Sequence, residues 1–219
     1  MHLFIMDGNR RWAKQHLLQT FFGHEEGSKR VEDIIELCYN EAEYCSFWAL
    51  AKKNIENRSK EELEYLYKLL KSIQNFLPKL LEKGIKFEWV GNPDILPIQT
   101  VELLENTRET AKNGTKMTFI LAIGYGGQDE IVRALKKFMK EGDIEKLDEN
   151  TFLPFLDTRF PSPDLIVRTG GDMRLSGYFL YQSEYSEYYF TPTLWPDFKE
   201  TEFYKALETL KDAKRNFGK

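Results

Sequence analysis

Residues His2 to Trp12, HLFIMDGNRRW, join a short apolar run to an acid, a glycine, an amide and two arginines. Such a run ending in turn formers reads as a buried strand, and the chain just past a strand's carboxyl end is where open α/β sheets hold ligands. Glycine lets backbone N–H groups approach a ligand, a helix start leaves such groups unpaired, and arginine forks match phosphate oxygens. Gly8, Asn9, Arg10, Arg11 and Trp12 therefore suit a diphosphate; they equally suit a strand-to-helix turn with a capping acid and solvated arginines. A second cluster, Arg168-Thr169-Gly170-Gly171-Asp172-Met173-Arg174-Leu175-Ser176, follows the apolar run DLIV. A turn explains its paired glycines but not an arginine directly after a buried strand, so Arg168, Arg174 and Ser176 read as phosphate ligands. Two such rims imply two anionic groups held close together. Asp7 and Glu187 are candidate ligands for Mg²⁺, which takes one or two carboxylates beside substrate phosphates; Glu187 alone also suits a solvated acid on an edge strand. His24, beside Gly23, is placed to donate to a phosphate, shuttle a proton, or simply cap and pack. Neither a Walker A nor a Rossmann glycine pattern is present.

The elements that must position these residues alternate. Apolar runs at His2–Met6, Cys45–Ala51, Ile85–Val90, Met117–Ile123, Asp164–Val167 and Tyr188–Phe190 read as strands, with helical segments between them. That alternation predicts an α/β fold: one domain over residues 1–219, with a largely parallel central sheet of about six strands surrounded by helices. The first long helix is expected over Gly23 to Ala42, its amino end facing the Asp7 rim. From Ser59 to Lys83 an apolar stripe at helical spacing predicts a single long helix, N-capped by Ser59 and kinked at Pro78. The stripe suits ordinary core packing or one wall of an apolar tunnel. The polar stretch 52–60 is the expected mobile lid.

Composition sets limits. A hydrophobic fraction of 42% over 219 residues is enough for one sizeable core. A net charge of −4 gives no global basic field for nucleic acid, so any anion is caught locally. Cys38 and Cys45 are too few for a zinc site and sit in apolar company, as reduced core thiols do. With no long apolar span and no signal-like start, the chain is expected to be soluble and cytoplasmic, with contact to a membrane surface left open.

Five ordered segments, HLFIMDGNRRWAK, GHEEG, GYGGQDEI, RTGGDMRLSGYFLYQ and YSEYYFTPTLWPDF, closely resemble the cis-prenyltransferases of the undecaprenyl diphosphate synthase kind. The resemblance implies sequential addition of isopentenyl diphosphate to farnesyl diphosphate with cis stereochemistry and Mg²⁺. The implied product is undecaprenyl diphosphate, the lipid carrier of cell-wall assembly. It further implies a homodimer, an apolar tunnel for the growing chain, and partners limited to the two diphosphates and the product lipid. Matched by position, Asp7 corresponds to the catalytic, Mg²⁺-linked acid, Gly8 through Arg11 to the allylic diphosphate cradle, and Trp12 and His24 to the lining of the same site. Arg168, Arg174 and Ser176 correspond to the isopentenyl diphosphate grip, and Glu187 to a carboxylate tied to the metal and the dimer interface. Phe119 or Leu121, on the strand expected at the far end of the tunnel, would limit product length.

The chain departs from the family between Trp48 and Ser59, where WALAKKNIENRS replaces a pattern close to YAFSxENWxRP. Asn54 matches the pattern's asparagine, to which the family assigns proton acceptance. A neutral amide is a poor base near pH 7, so a positioning role is expected, with a diphosphate oxygen taking the proton. Arg58 matches the pattern's arginine only through a one-residue insertion. Lys52 and Lys53 are candidate phosphate contacts or part of a solvated lid. Gly124 stands where GYGG is usually NYGG. Thr20 stands where relatives often carry an arginine for the allylic diphosphate, and Arg10, where many carry glycine, is expected to compensate. Two alternatives remain: a shorter-chain cis-prenyltransferase, and a noncatalytic partner subunit that the divergent 48–59 segment alone supports.

Overall fold

In the computed structural model, residues 1–213 are described. Their strands are β1 (His2–Ile5), β2 (Tyr44–Ala51), β3 (Ile85–Val90), β4 (Met117–Tyr125), β5 (Leu165–Arg168) and β6 (Glu187–Phe190). The helices are α1 (Asn9–Gln15), α2 (Thr20–Glu41), α3 (Lys52–Asn57), α4 (Lys60–Leu70), α5 (Ile73–Glu82), α6 (Ile98–Thr110), α7 (Gly127–Glu141), α8 (Glu149–Phe152) and α9 (Glu200–Asp212). The strands form one sheet in the order β3-β4-β2-β1-β5-β6, every pair parallel. Helices cover both faces, as a parallel sheet requires.

Strand alternation divides the core. Phe4 and Phe47 stack at 4.8 Å on one face, where Trp195, Phe198 and Phe203 join them. Leu3, Ile5 and Ile166 pack on the other face with Tyr178 and Phe179. Cys38 and Cys45 are free and buried. The sheet grows leftward from β1 through β2 and rightward through β5, so the order reverses between β1 and β5. A crevice opens there at the carboxyl ends of the strands, the usual ligand position in such sheets. Asp7 and Arg168 lie at its two sides.

Three expectations need correction. The stripe from Ser59 to Lys83 is two helices rather than one, because the α-helical pattern breaks at Lys71 and Ser72, upstream of Pro78. There the amides of Ser72, Gln74 and Asn75 bond three residues back. Pro78 lies inside α5, past its first turn, where it cannot donate to the carbonyl of Gln74 and crowds it. Second, α2 begins at Thr20, so His24 lies past its first turn rather than at its amino end. Third, residues 52–57 are helical, and Lys52 Nζ ties α3 to α7 through Asp129 Oδ1 at 2.5 Å.

Candidate active site

β1 delivers Asp7 into the crevice, and hydrogen bonds from two loops fix its backbone. The Asp7 carbonyl accepts from Thr169 Oγ1 at 2.7 Å, in the loop after β5, and from the Trp195 amide at 3.1 Å. The carboxylate lies between two arginines: Arg11 Nη2 reaches Oδ1 at 3.1 Å and Arg168 Nη2 reaches Oδ2 at 3.0 Å. Gly170, at φ +84°, makes this possible. A Cβ there would sit 2.4 Å from Arg11 Nη2, and Arg11 Nη1 bonds the Gly170 carbonyl at 2.6 Å.

Arg168 organises the second cluster. It is only 4% exposed. Its Nη1 donates to the Arg174 carbonyl at 2.6 Å and to Ser176 Oγ at 2.8 Å, while Nη2 also reaches Asp172 Oδ2 at 3.2 Å. Asp172 in turn holds Arg174 Nη2 at 2.5 Å. Partial desolvation raises the Asp172 carboxyl, but Arg174, Arg168 and Arg11 together hold it below the usual carboxylate range. The two rims identified in the sequence are thus one network, joined where Asp7 and Asp172 share Arg168.

Asp172 is the residue that reading individual side chains missed. Its signal was present: an acid between two arginines, beside a glycine pair. The two carboxylates are the available oxygen donors for a divalent cation, and no group of three or more His, Cys, Asp or Glu forms a closed metal cage among the described residues. An incomplete carboxylate set fits Mg²⁺, which completes its shell with water and substrate phosphate. Glu187 does not join Asp7 within one chain. It pairs in register with Leu165, which pairs with His2, so it lies at the amino end of the sheet, about 15 Å along the strand direction from Asp7.

On the other side of Asp7, α2 passes close to α1. A Cβ at Gly23 would meet the Asn9 carbonyl at 2.0 Å, and one at Gly27 would meet Asn9 Oδ1 at 2.5 Å. Asn9 Oδ1 is buried with no partner. His24 is buried, its Nε2 3.2 Å from Glu62 Oε1, and Arg58 Nη1 reaches the same oxygen at 3.2 Å. Burial and the neighbouring Arg58 lower the His24 pKa against the opposing pull of Glu62, which favours neutral imidazole near pH 7. Arg58 Nε is buried without a partner. Arg10 is exposed, and its charge is felt at both His24 and Arg58.

The remaining expected site residues have other placements. Asn54 Oδ1 accepts the Ala51 amide at 3.3 Å and so caps α3, while Lys53 is exposed. Trp12 Nε1 bonds Asp197 Oδ1 at 2.9 Å, and its ring stacks on His16. Lys52, through its bond to Asp129, faces α7.

Asn9 and His24 stand at the polar end of a cavity with about 820 Å³ of empty space, its open mouth included. Leu50 and Leu121 form its sheet wall, Leu66 and Leu70 of α4 and Phe76 of α5 its helical wall, and Phe119 lies deeper. The helical stripe, which suited core packing or a tunnel wall, thus serves as cavity wall and core together.

A parallel α/β sheet whose carboxyl rim carries an arginine–carboxylate network beside an apolar cavity defines a protein for ligands with an anionic head and a hydrocarbon tail. Residues 5–218 match the family described as "Putative undecaprenyl diphosphate synthase". The chain is 42% identical to an isoprenyl transferase of Aquifex aeolicus, covering 98% of this chain and 94% of the relative. It is 35% identical to a tritrans,polycis-undecaprenyl-diphosphate synthase (geranylgeranyl-diphosphate specific) of Thermoplasma acidophilum, over 98% and 86% of the two chains. Lavandulyl diphosphate synthase from Lavandula x intermedia, solved with dimethylallyl diphosphate, superposes with a TM-score of 0.94 at 33% identity, over 100% and 97% of the chains. The chain belongs to the cis-prenyltransferase family, a family of transferases.

Proposed function

We propose that this protein extends farnesyl diphosphate with successive isopentenyl diphosphate units in cis geometry, with Mg²⁺, to make undecaprenyl diphosphate. One observation carries the reading: the joined network around Asp7 and Arg168 lies beside an apolar cavity, so an anionic head and a growing hydrocarbon fit side by side. Gly8, Asn9, Arg10 and Arg11 cradle the allylic diphosphate, with His24 and Arg58 at its flank. Arg168, Arg174 and Ser176 receive isopentenyl diphosphate. Mg²⁺, held by Asp7 and the diphosphate oxygens, supplies neutralising charge when bound.

The protein's own contribution is positioning and electrostatics. Arg11 and Arg10 stabilise the charge that builds on the departing diphosphate while the double bond of isopentenyl diphosphate attacks the allylic carbon. The apolar cavity keeps water from the developing carbocation. Asn54, with its carbonyl engaged by the backbone, positions α3, and the final proton passes to a diphosphate oxygen. Labelled isopentenyl diphosphate, farnesyl diphosphate and Mg²⁺ test the reading. Wild type is expected to elongate the chain and Asp7→Ala to lose at least about 10²-fold in rate; no elongation by the wild type overturns it. Chromatography of the products separates undecaprenyl from shorter chains.

We further propose a homodimer. Val132, Leu135 and Met139 form an exposed apolar stripe on α7, and Leu180 and, in edge strand β6, Tyr188 are exposed. A second copy covers such a surface economically. A two-fold axis normal to the strands reverses their direction, turning the amino end of β6, with Glu187, toward the partner's active rim. On this arrangement Glu187 serves the metal of a second copy.

A further inference from the structure

The turn between α1 and α2 has a residue that its geometry does not favour. The Leu18 amide bonds the Ala13 carbonyl at 2.8 Å and the Leu17 amide bonds the Lys14 carbonyl at 3.2 Å. These two bonds close a helix with a Schellman motif, whose left-handed residue is usually glycine. Here it is Leu17, at φ +57°, with its side chain 95% exposed. The chain thus accepts backbone strain to hold a leucine in water, at a site where glycine would remove both penalties. Leu18 and Phe22 are exposed beside it, and every residue from Lys14 to Thr20 is exposed, so the turn projects from the surface.

The charge along this stretch of chain is one-sided. Although the whole chain carries −4, residues 8–24 contain Arg10, Arg11 and Lys14 and no acid. Arg11 is paired with Asp7 and the nearby Asp197 accepts from Trp12, which leaves Lys14 and Arg10 as exposed cations with no carboxylate partner among the described residues. The next acids along the chain, Glu25 and Glu26, are both paired with Lys29. We propose that the Leu17–Leu18 turn, with Phe22, is a membrane-surface anchor that inserts into a bilayer bearing anionic headgroups.

The shape and size of the patch favour this occupant. A projecting tip of three apolar side chains falls far short of the roughly 800 Å² per partner of a stable protein interface. It matches interfacial insertion, where a few apolar groups enter the headgroup layer and nearby cations meet anionic lipid. α1 carries the tip about 10 Å outward from the Asp7 rim.

Co-sedimentation of the full chain with vesicles of equal parts phosphatidylcholine and phosphatidylglycerol tests the proposal, against pure phosphatidylcholine vesicles. Wild type is expected to bind the anionic vesicles and to leave the neutral ones largely in solution. Leu17→Gly relieves the strained backbone, so misfolding cannot account for its behaviour; it is expected to lose about tenfold in vesicle affinity. Lys14→Glu should weaken anionic-vesicle binding while leaving neutral-vesicle binding as it was. The assay requires no turnover, so its outcome is independent of the catalytic reading. Equal binding by wild type and Leu17→Gly, absence of anionic-vesicle binding by wild type, or a change of oligomeric mass in Leu17→Gly would each overturn the anchor.

Discussion

Arg168 touches two carboxylates, a backbone carbonyl and a hydroxyl with its two terminal nitrogens. A lysine supplies a point charge without the planar fork, so Arg168→Lys is expected to keep the fold and lower kcat/KM about 10²-fold; steady-state kinetics with circular dichroism check both parts. Arg10 is exposed, and its field reaches His24 and Arg58, whereas Thr20 is the exposed first residue of α2. Arg10→Gly is expected to raise KM for the allylic diphosphate with little effect on that for isopentenyl diphosphate, and unchanged affinity and turnover would remove its compensating role. Leu17→Gly should stabilise the protein by about 1 kcal/mol, a rise of roughly 2–4 °C in a thermal melt.

Among the elements, β1 leads into Asp7 and also carries a pH liability. Burial lowers the His2 pKa from 6.5 to about 4. The unfolded chain therefore takes up the proton first, so this contribution to stability is intact above pH 6.5 and is lost as the pH falls toward 4. It amounts to about 3 kcal/mol at full protonation. Denaturant midpoints across that window should fall in the wild type and fall less in His2→Leu. In β4, Phe119 packs between Phe47 and Phe87 at 5.7 and 5.4 Å, while Leu121 lies nearer the rim. Phe119→Leu is therefore the variant expected to lengthen products, read by chromatography, with Leu121→Ala the weaker one. Strands β1, β4 and β5 were legible because buried parallel strands read as continuous apolar runs bounded by turn formers, whereas β6, which has no buried residue, was legible only through its aromatic run. The break at Ser72 was not legible, because the apolar stripe passes through it without interruption. The Lys52–Asp129 pair spans 77 residues, and sequence spacing carries no trace of it.

For the whole molecule, sheet register decides what one chain can do alone. The family resemblance placed Glu187 among the site residues, but strand register puts it at the opposite end from Asp7. Mixing inactive Asp7→Ala chains with inactive Glu187→Gln chains should restore part of the activity through mixed dimers; no recovery would assign Glu187 a role within its own chain. Among the described residues no helix is long and apolar enough to cross a membrane. The interruption between α4 and α5 also bears on how the cavity accommodates its contents. Both helices line it, and at Lys71 and Ser72 the backbone is held by short-range turn bonds rather than a continuous ladder. A wall jointed there is two separately packed rods rather than one stiff one, so the space it encloses depends on the angle between them as well as on the side chains that line it.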